Sequence, residues 1–226
     1  MEESKIRLNK FLAERLGVSR READEMISSH RVSVDGRPAI LGDRIDKASK
    51  VCYNDKIIPF ETEYLYLAFH KPVGYVCSRR SQKTAPTIYE ILPKKYHKLK
   101  TVGRLDKDSS GLILLTNDGD FAFQMTHPKF RKTKIYEVEL DKPLEPLHQQ
   151  MISDYGVMLD DGLSRFKVIK DEKPNSYIVS LTEGRNRQIR RTFAALGYKV
   201  VKLHRTTFGK YELGDLSVGK YDIIKV

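Results

Sequence analysis

The sequence has few of the features that mark secreted or membrane proteins. It contains two cysteines, Cys52 and Cys77, without a CxxC pair, so neither a disulfide framework nor a zinc site is predicted. No apolar run approaches the roughly 18 residues of a membrane-spanning helix. The opening MEESKIRLNK lacks the apolar core of a secretory signal. We therefore expect reduced thiols, no membrane-spanning segment and a cytoplasmic location.

Acidic residues are outnumbered by basic ones. The 226 residues include 41 Lys and Arg against 30 Asp and Glu, a formal net charge of +11. Apolar residues make up 40% of the chain, which is enough to form a core. An excess of positive charge favours polyanionic partners, either nucleic acid or an anionic membrane, and charge alone does not choose between them.

The positive charge is concentrated in two runs. Residues 71–107 contain ten Lys or Arg and two acidic residues, and residues 183–210 contain eight against Glu183 alone. Residues 1–60 are nearly balanced, with twelve basic and ten acidic residues. A single charge run is usually a solvated surface, but two runs beside polar motifs favour a nucleic-acid groove.

The first sixty residues predict two helices and a hairpin. Apolar residues recur at helical spacing over 6–16, and Ser19 with Glu22 forms a capping box at the start of a second helix. In RVSVDGRPA, alternating valines precede an Asp35-Gly36 turn, which is a hairpin signal. A domain boundary is expected between residues 62 and 63.

The remaining chain predicts a larger α+β domain, residues 63–226. Helices and strands are mixed without a strict βαβ repeat, which argues against a doubly wound sheet. Strands are expected at 112–116, 134–140, 177–182 and 199–203, and helices near 119–126 and 187–196.

The stretch VGRLDKDSSGLILLTNDGD, residues 102–120, carries the first chemical candidate. Asp106 lies in a polar loop between glycines, before an apolar run that can hold the loop rigid, so its carboxylate can act as nucleophile or base. Asp108 in the same loop leaves a paired acid/base device open. Helix capping or a surface ion pair is the commoner role of a loop aspartate. Asp118 and Asp120 fit turn and cap positions.

Two further motifs lie beside the basic runs. In KIYEVEL, Tyr136 begins one face of a strand, where a tyrosine is usually core but can stack on a base. In LTEGRNRQIRRTFAALG, a loop precedes a helix whose buried stripe includes Ile189 and Phe193. Arg190 flanks that stripe, where it is either a half-buried arginine that pairs with a carboxylate or a surface arginine with its stem on the core.

The N-terminal segment resembles the RNA-binding domain named after small-subunit ribosomal protein four. The stretch RLNKFLAERLGVSRREADEMISSHRVSVDGRPA carries the helix, the SRR-x-A helix start and the V-x-V-D-G hairpin of that domain. Cations beside the free amides of a helix start suit a phosphate. The resemblance implies that five basic residues face structured RNA: Arg7, Lys10, Arg20, Arg21 and Arg31.

The rest of the chain resembles the RsuA/RluB type of pseudouridine synthases. The resemblance is carried by HKPVGYVCS (70–78), VGRLDKDSSGLILLTNDGD, KIYEVEL (134–140) and EGRNRQIRRTFAALGYKVVKLHRTTFG (183–209). It implies a mainly antiparallel catalytic domain that isomerises a uridine of ribosomal RNA without cofactor or metal. The expected partner is ribosomal RNA or an immature ribosomal subunit, with large-subunit RNA favoured, and the expected state is a monomer.

The resemblance also implies site roles. Asp106 is the catalytic carboxylate, Tyr136 stacks on the flipped uracil, and Arg190 pairs with Asp106. Leu203 forms apolar pocket wall, Arg104 helps to extrude the nucleotide, and Lys71 supports the pocket from behind. Asp108 receives no role. In the second basic run, Arg185 and Arg187 are expected to contact RNA.

Two other functions are compatible with parts of the sequence. A noncatalytic RNA-binding or ribosome-assembly factor would keep the fold, but the intact Asp106, Tyr136 and Arg190 set argues against it. A DNA-binding regulator is suggested by the two short helices and the basic charge. The hairpin after those helices and the large second domain argue against that alternative.

Overall fold

The structure, a computed structural model, describes residues 5–61, 63–79 and 85–226. The chain divides into two units. The first comprises the chain up to Leu65 together with Lys95–Lys100 and Thr116–Gly119. The second comprises Tyr66–Lys94, Thr101–Leu115 and Asp120–Val226. The domain boundary between residues 62 and 63 stays a prediction. Thr62, and Arg80 and Lys83 of the first basic run, lie outside the described residues.

The first unit contains the predicted helix pair and hairpin. Its elements are β1 (Ile6–Arg7), α1 (Leu8–Arg15), α2 (Arg20–Ser28), β2 (Val32–Val34), β3 (Arg37–Pro38), β4 (Arg44–Ile45), β5 (Val51–Tyr53) and β6 (Lys56–Ile57). The capping box of α2 is confirmed, because Glu22 N donates to Ser19 Oγ at 3.1 Å and Ser19 N donates to Glu22 Oε2 at 2.7 Å. The strands form a sheet of order β3-β2-β5-β6 and a separate β1-β4 pair.

The turn between β2 and β3 has the backbone that the sequence indicates. Asp35 and Gly36 both have positive φ, 51° and 82°, which is the requirement of a type I′ hairpin turn. The core of the unit joins both helices to the sheet through Leu8, Phe11, Leu12, Ala23, Ile27, Val32, Val34 and Val51.

Two later segments of the chain make hydrogen bonds inside this first unit. Lys100 Nζ donates to the carbonyl oxygens of Ala13 at 3.1 Å and Val18 at 2.7 Å, so it satisfies backbone acceptors at and after the end of α1. Asn117 accepts from Leu65 N at 2.8 Å and donates to Glu63 O at 2.9 Å.

Most of the remaining elements build the second unit. They are β7 (Tyr66–Lys71), β8 (Lys100–Val102), β9 (Ser110–Thr116), α3 (Gly119–Thr126), β10 (Lys134–Leu140), α4 (Pro146–Gln150), β11 (Val157–Leu159), β12 (Gly162–Ser164), β13 (Lys167–Lys170), β14 (Ser176–Leu181), α5 (Gln188–Ala195), β15 (Val200–Phe208), β16 (Tyr211–Glu212) and β17 (Tyr221–Ile223). The predicted strands and helices are therefore present. The strand expected at 199–203 continues to Phe208.

The second unit is organised around a mixed sheet of order β13-β14-β10-β15-β9-β7-β17, with β8 on β9 and β16 on β15. Strand β10 pairs antiparallel with β14 and β15, whereas β15 and β9 run parallel over a short register that places Arg205 opposite Gly111. Tyr136 begins the buried face of β10, as predicted, and Val138 and Leu140 continue that face. The fold is α+β with a mostly antiparallel sheet.

The two cysteines, Cys52 and Cys77, are both unpaired. None of the helices in the described part of the chain has the length and apolar character needed to cross a membrane.

Candidate active site

The loop between β8 and β9 carries Asp106 and is fixed at several points. Ser109 N donates to Asp106 O at 3.1 Å, which closes a turn, and Gly74 N donates to Lys107 O at 2.7 Å. Leu105 is buried, and its N–H donates to Cys77 Sγ at 3.4 Å. Asp106 is thus held on a rigid backbone.

Lys71 lies behind this loop, at the end of β7. Its side chain is fully buried, and Nζ donates to Ser109 O at 2.6 Å and to Pro72 O at 2.9 Å. Burial lowers the pKa of Lys71 to about 8. The predicted support from behind is consistent with these two hydrogen bonds.

Two arginines of the RNRQIRR motif meet the loop at Asp108. Arg187 binds the Asp108 carboxylate with two hydrogen bonds of 2.9 Å, and Arg190 Nε lies 3.3 Å from Asp108 Oδ2. Arg190 Nη2 also donates to the backbone oxygen of Asp108 at 2.8 Å, and its Nη1 donates to Val200 O at 2.8 Å. The hydrogen bonds from Arg187 hold the pKa of Asp108 below its usual value. Asp108, which received no role from the sequence, anchors both arginines.

The charge partner of Asp106 differs from the one that the resemblance implied. Among the described residues, Arg190 forms no ion pair with Asp106. Its guanidinium contacts Asp108. Instead, Arg187 Nη1 lies 3.8 Å from Asp106 Oδ2. Arg187 precedes α5 in a left-handed conformation, with φ of 45°, and its Nη1 lies within 4 Å of both carboxylates.

Arg205, which sequence reasoning did not single out, lies beneath the predicted stacking residue Tyr136. It is 2% exposed; Nε donates to Leu112 O at 2.8 Å and Nη1 to the Tyr136 hydroxyl at 3.5 Å. Its guanidinium carbon lies 4.8 Å from the centre of the Phe208 ring. Arg205 therefore links β9, β10 and β15 behind the tyrosine ring.

Asp106, Tyr136, Arg187 and Arg205 line a cavity of about 340 Å³, within the range of small-ligand pockets. Asp106 faces it with a side chain that is 32% exposed. The lining also includes Arg104, Leu105, Lys134, Ile189, Leu203 and Phe208. The structure therefore brings Asp106, Arg104, Tyr136 and Leu203 together in one cavity.

Lys134 is a second cavity residue that the sequence analysis did not identify. It begins β10, and its Nζ donates to Glu183 O at 3.2 Å. Burial, and then the nearby Arg205, lower the pKa of Lys134 to about 8. Its position two residues before Tyr136, on the same side of the strand, was the available signal.

The RNA-facing residues predicted in the first unit are mostly exposed. Arg7 precedes α1, and Arg20 and Arg21 form the first turn of α2, where their side chains are exposed. Lys10 lies 4.0 Å from Glu14 on α1. Arg31 is more constrained, because it donates to Ser29 Oγ at 2.9 Å and to the Tyr53 hydroxyl at 3.1 Å.

Arg185 is held by protein groups. Its guanidinium donates to the backbone oxygens of Asp161, Gly162 and Leu163 at 3.0–3.1 Å and to the Asp161 carboxylate at 3.0 Å. An RNA contact by Arg185 would have to replace some of these bonds. Within residues 5–61, 63–79 and 85–226, no three His, Cys, Asp or Glu side chains cluster as a metal site would require.

Comparison with known proteins places both parts of the chain. The S4 domain model matches residues 6–51, and the model described as RNA pseudouridylate synthase matches residues 65–195. A solved structure described as a pseudouridylate synthase is 33% identical, covers 97% of this chain and 96% of its own, and has a TM-score of 0.70.

Two similar curated proteins are named for different ribosomal subunits. The ribosomal small subunit pseudouridine synthase A of Pasteurella multocida (strain Pm70) is 38% identical, with 96% of this chain and 94% of that protein covered. The ribosomal large subunit pseudouridine synthase B of Escherichia coli (strain K12) is 37% identical, with 92% of this chain and 75% of that protein covered. The resemblance inferred from the motifs is confirmed, and this chain belongs to the RNA pseudouridylate synthase family, enzymes that isomerise uridine to pseudouridine in RNA.

Proposed function

We propose that this chain isomerises a specific uridine of ribosomal RNA and that Asp106 is its catalytic carboxylate. One observation carries the assignment. Asp106 presents to the cavity a carboxylate that accepts no hydrogen bond from the described residues, with Arg187 at 3.8 Å as its charge partner. Glu183, the other carboxylate of the lining, is already bound by Gln188 and by Arg185. Asp106 is therefore the carboxylate available to a substrate.

The cavity has the properties that this isomerisation requires. The N1–C1′ bond of uridine breaks, the ring turns, and C5 bonds to C1′ while the C5 hydrogen leaves as a proton and N1 gains one. The detached ring must be kept from escaping. Tyr136 can stack on it, and Leu203 and Ile189 supply apolar wall. Extruding the nucleotide from its stack costs a few kcal/mol of stacking free energy, which contacts between the protein and the RNA must offset.

Arg187 and Arg190 supply charge on the side of Asp106. Both are attached to Asp108 through hydrogen bonds or an ion pair, so they form a fixed positive group beside the cavity. Preorganised charge of this kind stabilises an anion without reorganisation during the reaction. We assign Arg187 to orienting the Asp106 carboxylate, Arg190 to fixing Asp108 beside it, and Lys71 to holding the loop.

The RNA is proposed to be ribosomal because the relatives named above are ribosomal enzymes and an S4 domain precedes the catalytic part. Those relatives include both subunits, so the large-subunit preference stays a prediction. Mapping pseudouridines in both ribosomal RNAs of a deletion strain, with and without the restored gene, identifies the target. We further propose that the enzyme works in the cytoplasm, where its proposed ribosomal RNA substrate is assembled, and that it works as a monomer.

The catalytic assignment is tested by tritium release from ribosomal RNA containing [5-³H]uridine, either protein-free or in immature subunits. The wild-type protein should release tritium in proportion to pseudouridine formed. Asp106→Asn should abolish release while keeping its affinity for RNA, because the amide cannot act as nucleophile or base. Normal turnover by this variant would remove Asp106 from the chemistry.

Asp108→Asn is the matched control. It lies two residues away in the same loop and loses the same charge, but it anchors arginines instead of facing the cavity. We expect a reduced rate, about ten- to a hundredfold, with release still measurable. Complete loss in both variants would favour the paired acid/base device over a single catalytic carboxylate.

A further inference from the structure

Three exposed aromatic rings beside the cavity have no role in the site described above. Phe123 lies on α3, and His127 and Phe130 flank the turn that follows the helix. The two phenylalanines are 45% and 37% exposed. We call Phe123, His127 and Phe130 the aromatic platform.

The rings contact one another and rest on a fixed backbone. The Phe123 and His127 ring centres are 4.7 Å apart, and Phe123 and Phe130 meet edge to face at 5.8 Å. His127 N donates to Phe123 O at 2.9 Å, and Lys129 N donates to His127 Nδ1 at 3.3 Å. The rings are therefore held in place before any ligand binds.

The aromatic platform adjoins the active-site cavity. Thr126 and Pro128, the residues on either side of His127, are part of the cavity lining. A Cβ on Gly103, at the start of the loop that carries Asp106, would lie only 3.5 Å from Thr126 Cγ2. A nucleotide chain that leaves the cavity past Thr126 and Pro128 would next meet the aromatic platform.

Charge around the aromatic platform suits a phosphate backbone. The ammonium of Lys129 lies 5.3 Å from the centre of the Phe123 ring and 4.7 Å from that of Phe130. Arg131 and Lys132 follow directly, and residues 121–133 contain no acidic side chain. Aromatic rings interleaved with lysine and arginine are the pattern of single-stranded nucleic-acid binding.

We propose that the aromatic platform binds an unpaired base of the RNA strand next to the target uridine, with Lys129 and its basic neighbours on the adjoining phosphates. The proposal rests on the proposed function. Extruding the uridine removes a stacking partner from its neighbour, and exposed rings can replace that partner. Stacking tolerates any base, so the platform adds affinity without reading sequence.

Fluorescence of 2-aminopurine tests the proposal directly. The probe is a single-stranded uridine heptamer with 2-aminopurine beside its central uridine, and the protein is the Asp106→Asn variant, which should bind without turnover. Binding should quench the fluorescence, because 2-aminopurine is quenched when stacked. Adding Phe123→Leu and Phe130→Leu should remove the quenching and weaken binding about tenfold. Phe130→Trp alone should keep both.

Tyr155→Ala is the matched control, since its ring is 69% exposed and is not part of the cavity lining. It should leave quenching and affinity unchanged. Unchanged quenching and affinity in the double leucine variant would overturn the proposal. Equal loss in the Tyr155 variant would overturn it too, because the effect would then be general to exposed rings.

A separate measurement distinguishes this failure from failure of the proposed function. Tritium release from ribosomal RNA by the otherwise wild-type protein reports the isomerase reaction alone. If tritium is released but the leucine substitutions do not change the quenching, only the proposal for the aromatic platform is rejected. Quenching that depends on Phe123 and Phe130 without any release supports base binding by the platform and rejects the proposed function.

Discussion

Gly111 shows how a single glycine can determine the geometry of the site. A Cβ at this position would lie 2.2 Å from Arg205 O and 2.6 Å from Arg205 N, and the backbone has φ of +107°. Both the close approach and the conformation require glycine. The parallel contact of β9 with β15, and with it the position of Arg205, depends on this residue.

Gly111→Ala should therefore destabilise the second unit. Gly214 also has positive φ, +54°, but a Cβ there meets nothing within 4 Å, so Gly214→Ala measures the conformational cost alone. We expect a cost of about 1 kcal/mol at Gly214 and at least about 2 kcal/mol more at Gly111, because backbone atoms must separate. Urea unfolding followed by circular dichroism gives both values. Equal costs would show that β9 and β15 adapt easily.

Lys71 predicts a pH dependence of stability. Burial lowers its pKa in the folded protein from 10.5 to about 8, so the unfolded chain binds this proton more tightly. The free energy of unfolding should therefore rise as the pH increases from about 8, by at most about 3 kcal/mol in total. Between pH 8 and 10 the rise should be smaller in Lys71→Met than in the wild-type protein.

The comparison of those two slopes reports Lys71 together with its electrostatic effect on the buried Cys77 thiol, whose pKa is raised by burial. Lys134 also has a pKa lowered to about 8, but it is present in both proteins. Measurements stop at pH 10, because burial raises the pKa of Tyr89 to about 12 and stability falls again above its usual value of 10. Parallel curves for the two proteins would contradict a desolvated Lys71.

At the scale of elements, α2 is where the first unit is expected to engage RNA. Its capping box fixes the first turn. Arg20 and Arg21 are exposed in that turn although cations are unfavourable at a helix start, and Arg20 Nη2 donates to Asn9 Oδ1 at 3.3 Å. Arg20→Glu with Arg21→Glu should lower RNA affinity and reduce the slope of log affinity against log salt by about 1.5, because two phosphate contacts are lost.

A control with the same change of charge is available in the same unit. Lys47 and Lys50 are exposed and lie outside the predicted RNA-facing set, so Lys47→Glu with Lys50→Glu should change the salt slope less. Filter binding across a salt series measures both slopes. An unchanged slope in the Arg20 and Arg21 variant would place these arginines outside the interface.

The sequence predicted those elements whose signals are local. The capping box, the Asp35-Gly36 turn and the period-two face of β10 each lie within a few residues, and each was confirmed. The parallel contact of β9 with β15 was not predictable, since it joins residues nearly a hundred positions apart. The burial of Arg205 follows from that contact, and so it was missed as well.

The candidate site shows the same limit. Motifs identified Asp106, Tyr136 and Leu203, which line one cavity. The sequence could not predict which aspartate each arginine contacts. Asp106 and Asp108 are two residues apart, so their distances from α5 along the chain are nearly the same, and only the fold decides the pairing. The structure pairs Arg190 with Asp108.

For the whole molecule, the basic residues behind the net charge of +11 fall into two groups, those that are buried or paired and those that are exposed. In the second unit, several basic side chains are buried or paired, such as Lys71, Arg190 and Arg205. They hold the site and do not attract RNA from solution. The exposed charge that remains is what should determine the salt dependence of RNA binding.

The two later segments of the first unit have a consequence for dissecting the protein. Residues 95–100 and 116–119 belong to the first unit, where Lys100 binds the carbonyl oxygens of Ala13 and Val18. A fragment that ends at residue 62 lacks these donors and leaves the acceptors to water. Neither unit can therefore be cut out whole by a single break in the chain, and swapping the RNA-binding module between relatives would require grafting three stretches together.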